Sequence, residues 1–117
     1  MSYYPAIDHQ RIHALLQLFG DSNVVQELFE EFLDSCPEKL AVIKQGLTEE
    51  RGDLIEFAAH AIHSSSAKLG AIEIEQTAGT LKMLAHNKNL ISIPGYLEEL
   101  EKQILELKEH IRSRKAI

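Results

Sequence analysis

The residues best suited to chemistry in this chain cluster between Ala58 and Ala71: His60, His63 and the serines Ser64, Ser65 and Ser66. Neutral imidazole offers a ring-nitrogen lone pair and titrates near ~6.5 when unperturbed, which suits a nucleophile or a metal ligand. At roughly 100° per residue, a helix gathers Leu54, Ile55, Ala58, Ile62, Ser65 and Leu69 on one side and puts His60 on the other. The spacing therefore predicts an imidazole in solvent, halfway along a helix. Glu56, Phe57, His63 and Ser64 lie one turn away on the exposed side, with Ala67 a turn further on. Short side chains toward the C-terminal end leave room for a second protein to reach His60. By composition alone a lone surface histidine is an ordinary solvated side chain; its surroundings set this one apart.

Competing chemistries fit less well. His60 and His63 stand three apart on one face, but the nearest acidic residue by periodicity, Glu56, is a turn away, and two imidazoles without a third ligand make a weak zinc site. His9 and His13 stand four apart with no Glu between them and no third ligand nearby. No metal site is expected. The single cysteine, Cys36, excludes an internal disulfide and a cysteine zinc cluster, and its helical apolar setting predicts a small core residue in a reducing compartment. The three serines sit in no nucleophile elbow, and no Gly-rich phosphate-binding turn is present, so a self-sufficient hydrolase or transferase is not expected.

The elements that must position His60 read as helices throughout. Asp8 is placed to cap a brief helix carrying Ile12, Leu15, Leu16 and Phe19 on one face, with Gly20 ending it. A second helix opens within Asp21-Ser22-Asn23, where Asn23 and Gln26 suggest a capping box. Its apolar stripe runs through Val25, Leu28, Phe29, Phe32, Cys36, Leu40, Ile43 and Leu47. Pro37 falls inside that stripe and predicts a bend, not a break, because the period continues beyond it. The His60 helix starts between Thr48 and Asp53, with Asp53 followed by Glu56 as the better cap, and Gly70 ends it as a left-handed cap. A fourth helix carries Ile74, Ala78, Leu81, Leu84 and Ala85 inward. Pro94-Gly95 resets the chain before a last helix with Leu97, Leu100, Ile104, Leu107 and Ile111 inward and a charged outer face. Four long helices with short connections predict an all-α fold: an antiparallel up-down-up-down four-helix bundle with a short N-terminal helix across one end.

Composition bounds the rest. The 117 residues are one domain's worth, so residues 1–117 are read as a single helical domain. A formal charge of −6 argues against a nucleic-acid groove, which needs clustered Lys and Arg. No apolar run approaches the ~18 residues of a membrane span, and Met1-Ser-Tyr-Tyr-Pro lacks the basic and apolar parts of a signal peptide. A cytoplasmic monomer that meets protein partners is expected.

The stretch from Ala59 to Ala71 resembles the signature of histidine-containing phosphotransfer (HPt) domains: Ala-His, two residues, Lys-Gly-Ser-Ser, then Leu-Gly. Ala59-His60, Ile62, Ser65-Ser66 and Leu69-Gly70-Ala71 match it; His63 stands in place of the usual Lys and Ser64 in place of the usual Gly. The resemblance implies a four-helix phosphorelay carrier. His60 would take a phosphoryl group on Nε2 from the phospho-aspartate of one receiver domain and hand it to another, with a hybrid sensor histidine kinase among the partners. It implies no cofactor on this chain, since Mg²⁺ comes with the receiver. Where the family often has Glu or Gln, 22 residues after the histidine, this chain has Lys82. The expectation is that the cation has moved to the neighbouring helix, so that His63, Ser64 and Lys82 support the phosphoryl group, while Phe57, Glu56 and Ala67 contact the partner. The alternative is a degenerate module that binds a receiver or kinase without carrying phosphate, suggested by the lost Lys and Gly.

Overall fold

Among the described residues the apolar stripes fold into five α-helices. The computed structural model describes residues 6–114, and the tyrosine-bearing start from Met1 to Pro5 lies outside them. The elements are α1 (His9–Phe19), α2 (Ser22–Thr48), α3 (Gly52–Leu69), α4 (Ile72–His86) and α5 (Ile93–Arg114), with a 3₁₀ turn at Leu90–Ser92 before α5. Helices α2 to α5 form an antiparallel bundle in which each packs on the next and α5 closes on α2, while α1 lies against α2 and α3. Among the described residues no helix is long and apolar enough to cross a membrane.

The core runs the length of the bundle: Val25, Phe29, Cys36 and Ile43 from α2, Ile55 and Ile62 from α3, Leu81 from α4, and Leu100, Leu107 and Ile111 from α5 are fully buried. Each large apolar side chain so removed from water contributes about 1.5–3 kcal/mol. On α1 only Ile12 is buried; Leu15 and Leu16 are half-buried, and Phe19, expected inward, is exposed because the short helix covers the bundle by one edge. Pro37 sits on the exposed side of α2, which continues unbroken through it.

Several helix ends differ from the sequence expectation. Asp21, not Asn23, caps α2, accepting from the Asn23 backbone N–H at 2.8 Å; the Gln26 amide donates to Glu30 and to the Ile111 carbonyl instead of closing a capping box. Both candidates are good cap residues, and the earlier one starts the helix. Asp53 does not cap α3. The helix begins at Gly52, where a Cβ would stand 3.0 Å from the Ala85 carbonyl oxygen, so close packing on α4 sets the entry and Asp53 falls in the first turn. Pro94 and Gly95 lie inside the first turn of α5, where no intrahelical N–H is required of a proline. Gly70 does end α3 at φ 76°, and its carbonyl accepts from the Asp8 N–H at 2.7 Å, tying the start of α1 to the turn between α3 and α4.

Candidate functional site

Helix α3 is held on two sides, by α2 and by α4, and this double embrace decides what its outer edge can present. Ala58 and Ala59 are both buried, which lets the neighbouring helices approach closely, and His60 follows them into solvent. No hydrogen bond or ion pair engages the His60 ring among the described residues. Its nitrogens are open to a visiting group.

The α3–α4 register follows from named contacts. His86 Nδ1 lies 3.3 Å from Glu56 Oε2, and His63 Nδ1 lies 2.9 Å from the Glu75 carbonyl oxygen, its ring beside Gly79. Arg11 then bridges the Ala67 carbonyl and the Glu75 carboxylate, the latter at 2.9 Å. Antiparallel pairing of Glu56 with His86 and of His63 with Gly79 puts His60 across from Lys82, between them. Accordingly, His60 and Lys82 line one open surface cleft of about 500 Å³ with Asp53, Glu56 and Phe57.

The side chains named from the sequence divide into those in the cleft and those beside it. Lys82 is half-buried and makes no ion pair with any described residue. Phe57 is 75 % exposed, a large apolar surface beside the imidazole. Glu56 is turned toward His86. His63 is half-buried against α4, and because a carbonyl oxygen only accepts, its Nδ1 carries the hydrogen. Ser64 is half-buried one turn after His60, its hydroxyl without a partner among the described residues. Ala67 lies near α1, its carbonyl taken by Arg11. One placement is corrected: Ser66, not Ser65, is the buried serine, with Oγ donating to the carbonyls of Ile62 at 2.7 Å and His63 at 3.1 Å, while Ser65 is exposed. The buried face of α3 turns toward α4 further than a single stripe suggests.

Arg51 and His86 bear on the site without having been singled out from the sequence, and Asp53, read there only as a helix cap, lines the cleft. Arg51 holds Asp53 through Nη2 at 2.7 Å and Nε at 3.3 Å. That hydrogen bond, together with the guanidinium charge, lowers the Asp53 carboxyl below its ordinary value. Pairing of residues equidistant from the Gly70–Ala71 turn is the signal that would have found His86. Among the described residues no group of three or more His, Cys, Asp or Glu is arranged to hold a metal ion.

Comparison with known proteins agrees with this architecture. The family model described as "Hpt domain" matches residues 27–110. The crystal structure of histidine-containing phosphotransfer protein B from Pseudomonas aeruginosa PAO1 superposes with a TM-score of 0.87 over 97 % of this chain and 96 % of that one, at 18 % sequence identity. No curated protein matches by sequence.

Proposed function

This chain belongs to the Hpt domain family, and from that premise we propose that it is a phosphorelay carrier with His60 as the phosphoryl acceptor. The observation that carries the reading is the His60 imidazole across α3 and α4 from Lys82, both without a hydrogen-bond or ion-pair partner among the described residues. The Nε2 lone pair forms the N–P bond as the acyl-phosphate P–O bond of a receiver breaks, and the aspartate leaves as carboxylate. The ring then gives its Nδ1 proton to solvent, to which it is open. Return to a second receiver reverses these steps.

Such a transfer asks mainly for alignment and for positive charge on the equatorial oxygens. The receiver brings the aspartate and Mg²⁺, which neutralises phosphoryl charge; a hybrid sensor kinase is the natural source of the first receiver. From this side, Lys82 supplies the cation that the family places at the position of His63. Phe57, at the edge of the cleft, is the apolar contact offered to the partner. A cytoplasmic monomer suits this role.

Incubation with a phosphorylated receiver tests the reading. Wild type should acquire an acid-labile label that His60→Gln does not. An unlabelled wild type, or a label retained by His60→Gln, overturns it; stable receiver binding without label identifies the degenerate module instead.

A further inference from the structure

Two carboxylates line the cleft beside His60, and each is engaged by a basic residue that does not line it. Arg51 grips Asp53 with two nitrogens, and His86 places Nδ1 3.3 Å from Glu56 Oε2 and 3.4 Å from Oε1. The carboxylate can only accept, so Nδ1 of His86 carries the hydrogen whether the ring is neutral or charged. Lys82, by contrast, lines the cleft and has no ion-pair partner among the described residues.

This arrangement matters because of what loose carboxylates would do there. A phosphoryl group carries roughly two negative charges near neutrality. A bare carboxylate one turn from His60 would repel it, and would also compete for the ammonium group of Lys82. Glu56 is the sharper threat: it precedes His60 by one helical turn, as Lys82 precedes His86, so a Glu56 released from His86 has Lys82 as the cation of its own cleft. His86 closes α4, where a histidine also meets the negative end of the helix. Arg51 and Asp53 are neighbours in chain at the start of α3, a local pair that is in place whenever the helix forms.

Resting on the phosphorelay reading above, we propose that Arg51 and His86 are positioning residues that mask Asp53 and Glu56, and so keep Lys82 available to the phosphoryl group on His60. Neither pair is built for stability. The side-chain exposures are 51 % and 68 % for Arg51 and Asp53, and 72 % and 40 % for His86 and Glu56, so solvent screens both. Their removal therefore leaves Asp53 and Glu56 unheld beside the cleft while the bundle stays folded.

The experiment compares wild type with Arg51→Gln, His86→Gln, the lysine replacements Arg51→Lys and His86→Lys, which keep a donor to the carboxylate, and the double variant Glu56→Gln/His86→Gln. One arm measures phosphoryl uptake from a phosphorylated receiver and the half-life of the phosphohistidine. The glutamine variants should be slower and shorter-lived by about two- to fivefold, the range open to a screened charge pair, and the lysine variants should recover. The second arm needs no partner: the ¹³C signal of reductively methylated Lys82 should move in His86→Gln as Glu56 turns to it, and return in the double variant. Glutamine variants that transfer as wild type does, lysine variants as impaired as the glutamine ones, or an unmoved Lys82 signal in His86→Gln overturn the masking proposal. Should wild type accept no phosphate, the carrier reading fails and the Lys82 signal alone decides, a shift supporting the masking and its absence refuting it.

Discussion

The ring of His63 lies over Gly79: a Cβ at residue 79 would stand 3.1 Å from Nδ1 and 3.2 Å from Cε1 of that imidazole. The bare backbone there lets His63 reach the Glu75 carbonyl, and it brings α4 close against α3 one turn from His60.

Gly79→Ala is therefore a conflict of two terms. Removing a mid-helix glycine stabilises by about 1 kcal/mol, while pushing the ring off its carbonyl forfeits a hydrogen bond worth about 1 kcal/mol. Urea titrations should find Gly79→Ala nearly neutral in wild type and stabilising by about 0.5–1 kcal/mol in a His63→Ala background. Equal effects in the two backgrounds would refute the coupling.

Gly46 offers a harsher test of helix approach. A Cβ there would meet Ile55 Cγ1 at 2.6 Å and the Arg51 carbonyl oxygen at 3.0 Å, both belonging to the start of the His60 helix. Gly46→Ala should cost about 1–3 kcal/mol in denaturant titration despite better helix propensity. Gly95→Ala, with nothing within 4 Å of its new methyl group, serves as the control and should be neutral or mildly stabilising.

Lys82→Met keeps the aliphatic stem and removes the charge. Its thermal midpoint should stay close to wild type, while phosphohistidine half-life and the rate of uptake from a receiver fall by about three- to tenfold, the scale of one charge-assisted contact at a partly exposed site. A variant that matches wild type in both would remove Lys82 from the mechanism.

Burial pushes the Cys36 thiol up from an ordinary 9.0 to about 12, with Lys39 acting weakly in the opposite direction. Between those values the folded chain keeps a proton that the unfolded chain gives up, so the stabilisation is complete below pH 9.0 and is lost as pH rises toward about 12. Denaturant midpoints measured at pH 7 and pH 10.5 should show this loss, and Cys36→Ala should flatten it. An identical alkaline slope in the two proteins would exclude the thiol as its source.

Much of the fold was legible because apolar spacing reports burial directly. The stripe through Val25, Phe29, Phe32, Cys36 and Ile43 and the seam through Leu97, Leu100, Ile104, Leu107 and Ile111 are both buried, and Asp8, Gly20 and Gly70 end their helices as their chemistry requires. The exposure of His60 was legible for the same reason. What a helical wheel misses is a helix buried on two sides. Facing α4 as well as α2, α3 buries Ala59 and Ser66 outside the main stripe and draws His63 half out of solvent. The pair of Glu56 with His86 was missed because charge patterning along one helix does not show which acids another helix will hold, and that of Arg51 with Asp53 because Asp53 was read as a helix cap. Likewise Asn23 and Asp53 were plausible caps on type alone, and the choice between neighbours fell to packing and to the earlier aspartate.

The hairpin of α3 and α4 turns on only two residues, Gly70 and Ala71. Glu56 and His86, His60 and Lys82, and His63 and Gly79 are each equidistant from Ala71, so the turn acts as the fold line of a ruler. Inserting or deleting one residue in it would swing α4 by about 100° about its own axis. Every helix would keep its composition, yet Lys82 would rotate away from the His60 ring. Spacing across this crease, more than the identity of most residues on either limb, keeps His60 and Lys82 in phase, whereas the longer α4–α5 connection, residues 87–92, sets no such register between them.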